Sequence, residues 1–251
     1  MVSTIIIKLS NHPILEVCVD SIESALSAAK GGATRIELCS ALQLGGLTPS
    51  VGLLKAVKNL LPPHCIVFVM IRPKSGYDFH YNSNELNIMM DDIKILAKHG
   101  ADGFVFGCLT KNKEVDIYAC RKLLDTAKEY PCTFHRAFDV VCNAEHALLS
   151  LIDLGFSRIL TSGQAETAHL GKNVIKELVC NVKELNSDLI IIAGGGIDLN
   201  NLGDILETTQ VKEFHGSARL NLKKEDTIWL TDESVVREMI KIANSLKMKK
   251  L

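Results

Sequence analysis

Ile14-Leu15-Glu16-Val17-Cys18-Val19-Asp20, a stretch at helical spacing over 21–30, and then Thr34-Arg35-Ile36-Glu37-Leu38-Cys39 form the unit that decides the fold of this chain. Two short apolar runs flank a segment whose apolar residues recur with helical period, a strand, a helix and a strand. The alternation continues to the C-terminus. Further apolar runs stand at 66–71, 103–107, 132–136, 158–161, 189–193 and 213–215, which makes eight strands in all. Helical spacing recurs over 51–60, 86–99, 116–129, 144–154, 174–185, 199–207 and 233–246. Such succession implies parallel strands joined by right-handed crossovers. Eight of them in 251 residues fit a closed parallel (β/α)8 barrel, a TIM-like α/β fold, better than the alternative, an open doubly wound sheet. No linker-like stretch divides the chain, so residues 1–251 read as a single barrel domain with its core at 14–220 and a C-terminal helix over 232–248.

Composition narrows the class of function. Hydrophobic residues at 47%, charged residues at 23% and a net charge of -1 offer no electrostatic case for nucleic acid or an anionic membrane. The only apolar run before Pro13, Ile5-Ile6-Ile7, is broken by Lys8, so neither a signal peptide nor a membrane span is expected and the cytoplasm is the expected compartment. The eight cysteines lack CxxC spacing, which argues against a zinc finger, and a reducing compartment makes them free thiols. The terminal Lys249-Lys250-Leu251 reads as a basic helix end rather than a peroxisomal address.

Side chains alternate along a strand, so the strand sequences also describe the barrel interior. Val17, Val19, Ile36, Leu38 and Phe134 are expected against the helices, which turns Glu16, Cys18, Asp20, Arg35, Glu37, Cys39, Thr133 and His135 inward. Arg72, Arg158, Ser162, Glu213 and His215 are expected at the axis or its upper rim. Barrel interiors are usually layers of Val, Ile and Leu, and buried charges must be paired or bind something. Pairing of Glu37 with Arg35 or Arg158 supplies part of the explanation, and a ligand site the rest.

Three groups of residues are candidates for chemistry. Glu16-Val17-Cys18 and Glu37-Leu38-Cys39 repeat the same Glu-x-Cys pair on neighbouring strands, within reach of one soft ion such as Cu(I), which His135 or His215 would complete. Buried free cysteine that merely fills space is the competing reading. Gly195 and Gly196 after strand seven and Ser217 and Arg219 after strand eight lie where barrels grip phosphate, with Arg72, Arg158, Ser162 and His215 as further anion-binding candidates. His135 and Asp139, with Glu37, suit general acid–base work, although Asp139 also suits a helix cap. The long segment 72–81 reads as a lid over the pocket or as a subunit contact. No Gly-x-Ser-x-Gly elbow, P-loop or His-Glu-x-x-His pattern occurs.

Leu15-Glu16-Val17-Cys18-Val19-Asp20-Ser21, Gly31 through Ser40, Gly45-Gly46-Leu47-Thr48-Pro49-Ser50, Gly100 through Gly107, Thr133 through Asp139 and Arg158 through Gly163 together closely resemble the CutC copper-homeostasis family, in order from about Leu15 to Arg219. The resemblance implies a TIM-barrel-like fold, a cytoplasmic homo-oligomer linked to copper handling and, as in the animal branch, Cu(I) held by Cys18 and Cys39. Lys74-Ser75-Gly76-Tyr77 departs from the shorter Arg-Gly-Gly stretch common there, while Asp78-Phe79 matches. Two functions follow as expectations: a copper homeostasis protein binding Cu(I) through Cys18 and Cys39, or a barrel enzyme acting on a small anionic or phosphorylated metabolite.

Overall fold

The computed structural model describes residues 12–219 and 230–246, which leaves Ile5-Ile6-Ile7 and Lys249-Lys250-Leu251 outside the described residues. In chain order the elements are β1 (Ile14–Val19), α1 (Ile22–Lys30), β2 (Arg35–Leu38), α2 (Val51–Leu60), β3 (Ile66–Met70), α3 (Ser83–Lys98), β4 (Gly103–Phe106) and α4 (Ile117–Ala127). They continue with β5 (Cys132–Phe134), α5 (Ala144–Leu154), β6 (Arg158–Thr161), α6 (Lys172–Glu184), β7 (Ile190–Gly194), α7 (Leu202–Thr209), β8 (Glu213–Gly216) and α8 (Glu233–Ser245). All neighbouring strands are parallel and β8 pairs with β1, so the sheet closes into an eight-stranded barrel and the open-sheet alternative is excluded. Among the described residues, no helix is long and apolar enough to cross a membrane, and the eight cysteines are free thiols.

Short polar side chains start the helices. Ser21, Ser50, Asp116 and Asn143 each accept a hydrogen bond from the backbone N–H three residues on, at 3.1, 3.1, 2.9 and 2.9 Å. Asn82 and Glu85 form a reciprocal capping box, which starts α3 at Ser83 instead of the expected 86. At α7 the carboxylate of Asp198 accepts from the N–H groups of Asn200 and Asn201, a local turn that delays the helix from 199 to Leu202.

The period-2 reading holds in three dimensions. Val17, Val19, Ile36, Leu38 and Phe134 are buried in the apolar layer between strands and helices. Each such side chain contributes roughly 1.5–3 kcal/mol of burial, so a one-residue slip of any strand would be strongly disfavoured. The interior is different. A small separate cluster of Cys39, Phe68, Met70 and Val105 fills part of it, and the Phe68 ring lies under two guanidinium groups, with Arg35 Cζ 5.4 Å and Arg158 Cζ 5.2 Å from its centroid. Gly103 makes room for that ring, because a Cβ there would stand 2.6–2.8 Å from three of its atoms. Gly103→Ala is therefore expected to destabilise the barrel by about 1–3 kcal/mol through overpacking. Equilibrium unfolding in urea checks this, and an unchanged midpoint would contradict it.

Candidate metal centre

The lower interior is a network of buried charges in which Arg35 Nη1 alone of that guanidinium is left without a hydrogen-bond partner. Arg35 Nε donates to Glu16 Oε2 at 2.6 Å, Arg35 Nη2 pairs with Glu213, and Arg158 Nε donates to the same Glu213 oxygen, Oε2, at 3.0 Å. Burial opposes ionisation of Glu16, but the attraction of Arg35 and His215 outweighs it and holds the carboxyl at about 2. The expected pairing of Glu37 with Arg35 or Arg158 is thus corrected. The β1–β2 register places Arg35 opposite Glu16 and Glu37 opposite Cys18, so Glu37 sits one layer higher.

That register also decides what surrounds Cys18. His215 lies opposite Glu16 on β8, and its Nδ1 lies 2.8 Å from Glu16 Oε1. The other ring nitrogen, Nε2, stands 3.8 Å from Glu37 Oε2. Cys18 Sγ, a Glu37 carboxylate oxygen and a His215 ring nitrogen all lie within 4.8 Å of one another. A carboxylate fixing the far nitrogen of an imidazole is the arrangement that orients a metal-ligating histidine. Burial works against protonation of His215, yet its electrostatic and hydrogen-bond interactions with Cys18, Glu37 and Glu16 raise its pKa well above the ordinary value. Burial, more than any neighbour, pushes the Glu37 pKa up.

Cys39 lies at the edge of this group. Its fully buried thiol donates to Glu37 Oε2 at 3.4 Å, and burial followed by the Glu37 charge raises its pKa well above the usual thiol range. The Glu-x-Cys repeat is therefore out of step across the strand pair: Glu37, not Cys39, stands beside Cys18. Gly46, at φ +81°, packs against Cys39, since a Cβ there would lie 3.1 Å from Sγ. Asp20 ties the end of β1 to this loop by accepting the N–H of Leu42 at 3.0 Å.

Of the remaining candidates, Asp139, Ser162 and Gly195 come together around Arg136. Asp139 accepts from Thr161 Oγ1 and from the N–H groups of Ser162 and Gln164 at 2.5, 2.9 and 3.3 Å, and it pairs with Arg136, so it ties β5 to β6. Ser162 Oγ donates to the Ala165 carbonyl at 2.6 Å and receives Arg136 Nη2 at 2.9 Å. Gly195 packs on these two side chains, and the Gly196 carbonyl accepts Asn201 Nδ2 at 2.8 Å. Ser217 accepts through its carbonyl from Thr231 Oγ1 at 3.0 Å, and Arg219 forms an antiparallel bridge with Thr231. Arg72 Nη1 donates to the carbonyls of Gly45 and Gly46 at 2.8 and 3.2 Å, and Arg158 is held by Glu213. His135 caps the 3-10 turn Arg136–Val140 from β5 and is not part of the Cys18 group. Sequence reading missed Phe79 as the neighbour of His135 and Phe68 as the floor beneath the two arginines. No local signal announces either contact, because both join residues from different strands and loops.

Comparison with known proteins places these residues in a family context. The CutC family model matches residues 13–220. The "Copper homeostasis protein cutC homolog" of Homo sapiens is 46% identical over 210 residues, covering 84% of this chain and 75% of that protein. The protein of the same name from Drosophila melanogaster is 39% identical over 264 residues, covering 95% of this chain and 98% of its own. Among solved structures, CutC from Streptococcus agalactiae superposes with a TM-score of 0.75 at 35% identity, over 82% of this chain and 98% of that one.

Proposed function

The chain belongs to the CutC family, and on that premise we propose that it serves copper homeostasis by holding Cu(I) between Cys18, Cys39 and His215 at the C-terminal ends of β1, β2 and β8. The observation that carries this reading is the convergence of Cys18, Glu37 and His215 donor atoms within 4.8 Å of one another. A soft thiolate and an imidazole nitrogen suit Cu(I), whereas one carboxylate is too few oxygen donors for Mg²⁺ or Ca²⁺. Cys39 lies outside that convergent group but donates to the same Glu37 oxygen that faces His215 Nε2, so in the proposed site it is the additional soft donor. Glu37 then serves as the acceptor for the proton that the Cys39 thiol must give up, and Glu16 keeps His215 aimed.

The deciding experiment is a competition titration of the reduced protein with Cu(I) against a chelator. Tight binding at one equivalent that Cys18→Ser removes supports the site. Binding indifferent to Cys18→Ser sinks it.

A further inference from the structure

On the β3–β5 side of the barrel, three buried polar atoms lack hydrogen-bond partners: His135 Nε2, Thr133 Oγ1 and Arg72 Nε. Each belongs to a side chain no more than 4% exposed. A buried donor left unpaired costs about 1–3 kcal/mol, so three in one sector call for an explanation. Each can donate. His135 Nδ1 accepts the N–H of Ala137 at 3.2 Å, which puts the ring proton on Nε2. Burial, reinforced by Arg72, lowers the His135 pKa to about 3, so at neutral pH the ring is an uncharged Nε2–H donor. The Nη groups of Arg72 donate to the carbonyls of Gly45, Gly46 and Gly76, and the guanidinium also interacts with the Tyr81 hydroxyl, while its Nε–H has no hydrogen-bond partner.

The fold makes room for this arrangement and covers it. Gly107, following β4, stands between the two strands concerned, and a Cβ there would lie 2.7 Å from His135 Nδ1. Phe79 of the β3–α3 loop is the cover. Its ring centroid is 4.9 Å from that of His135 and 5.1 Å from Arg72 Cζ, and it is 5% exposed although Tyr77 on the same loop is 79% exposed. Phe79 holds a φ of +48°, a left-handed conformation that is costly for an aromatic residue. A capping role alone needs one acceptor atom and leaves the second ring nitrogen of His135 without a purpose.

We infer that the β3–β5 side of the barrel mouth is a second ligand site, for a small organic oxyanion whose carboxylate or phosphate oxygens accept from His135 Nε2 and Arg72 Nε, with Phe79 as its lid and Thr133 Oγ1 one layer below, in register with Arg158. Two N–H donors, one of them on a guanidinium, with no acceptor between them select an anion and reject a cation. It shares no ligating residue with the proposed copper site, so either can fail without the other.

The test uses the full chain, reduced and metal-free, with inorganic phosphate and succinate as separate probes. Long-range proton–nitrogen NMR of the imidazole is expected to show the Nε2–H tautomer at neutral pH and a saturable shift of that resonance with one probe at millimolar concentration. A response to phosphate assigns a phosphate ester and a response to succinate assigns a carboxylate. His135→Asn keeps an acceptor for the Ala137 N–H but removes the Nε2 donor, and is expected to weaken binding of the active probe by at least about tenfold with Cu(I) binding unchanged. The inference is overturned if neither probe moves the wild-type resonance, a measurement that needs no variant, or if His135→Asn binds as well as wild type.

Discussion

Cys18→Ser is expected to lower Cu(I) affinity more than any other single substitution, beyond the roughly 10–100-fold that loss of an outer partner costs a metal site. Serine keeps the size of the side chain but replaces a soft donor with a hard hydroxyl. Cys18 is only partly buried, so the fold should tolerate the change. Glu16→Gln is expected to fall within the 10–100-fold range, because His215 stays in place but loses the carboxylate that aims it. Affinity should also fall as pH falls, since Cu(I) must displace protons from Cys18, Cys39 and His215 Nε2. With the His215 and Cys39 pKa values raised, this competition extends above neutral pH. Chelator competition at several pH values reads all three effects, and a flat pH profile would count against thiolate and imidazole ligation.

Arg35→Met is expected to destabilise the protein by about 3–5 kcal/mol, because it strands Glu16 and Glu213 in the interior without their shared partner. In thermal unfolding this amounts to a drop on the order of 10 °C. Arg35→Lys should recover only part of the loss, since one ammonium cannot reproduce a fork that meets two carboxylates on different strands. The sign of the pH dependence follows from Glu16. Its folded pKa of about 2 lies below the ordinary 4.5, so its contribution is fully present above 4.5 and is lost as pH falls through about 2. Removing Arg35 takes away the chief counter-charge, so the variant should lose stability at a higher pH than the wild type. Acid unfolding at coincident midpoints would show that the network contributes little.

The ion network and the Cys18 group differ in how far they were legible in the sequence. That Glu16, Arg35, Glu37 and Glu213 face inward follows from period-2 alternation, a local property of each strand. Which acid meets which base does not, since Glu16 lies 19 residues from Arg35 and Glu213 lies 178 from it. The Glu-x-Cys repeat put two sulfurs on neighbouring strands, within range of one ion unless barrel stagger separates them, and the observed stagger places Glu37 opposite Cys18. His215 was legible as an inward residue of the last strand, while its place against Glu16 required β8 to close on β1. His135 and Asp139 share one short motif yet serve separate tasks, one facing Phe79 and the other binding the β6 loop.

By itself the sequence determined the order of strands and helices, the apolar layer between them, the polar character of the interior and the resemblance to the CutC family. These rest on local periodicity and on motifs written along the chain. Tertiary structure alone decided the register around the barrel, and with it the partners of Arg35, the company of Cys18 and the unpaired donors beside Phe79. Closing eight strands fixes a stagger that no single strand encodes, because it depends on how all of them tilt and pack at once.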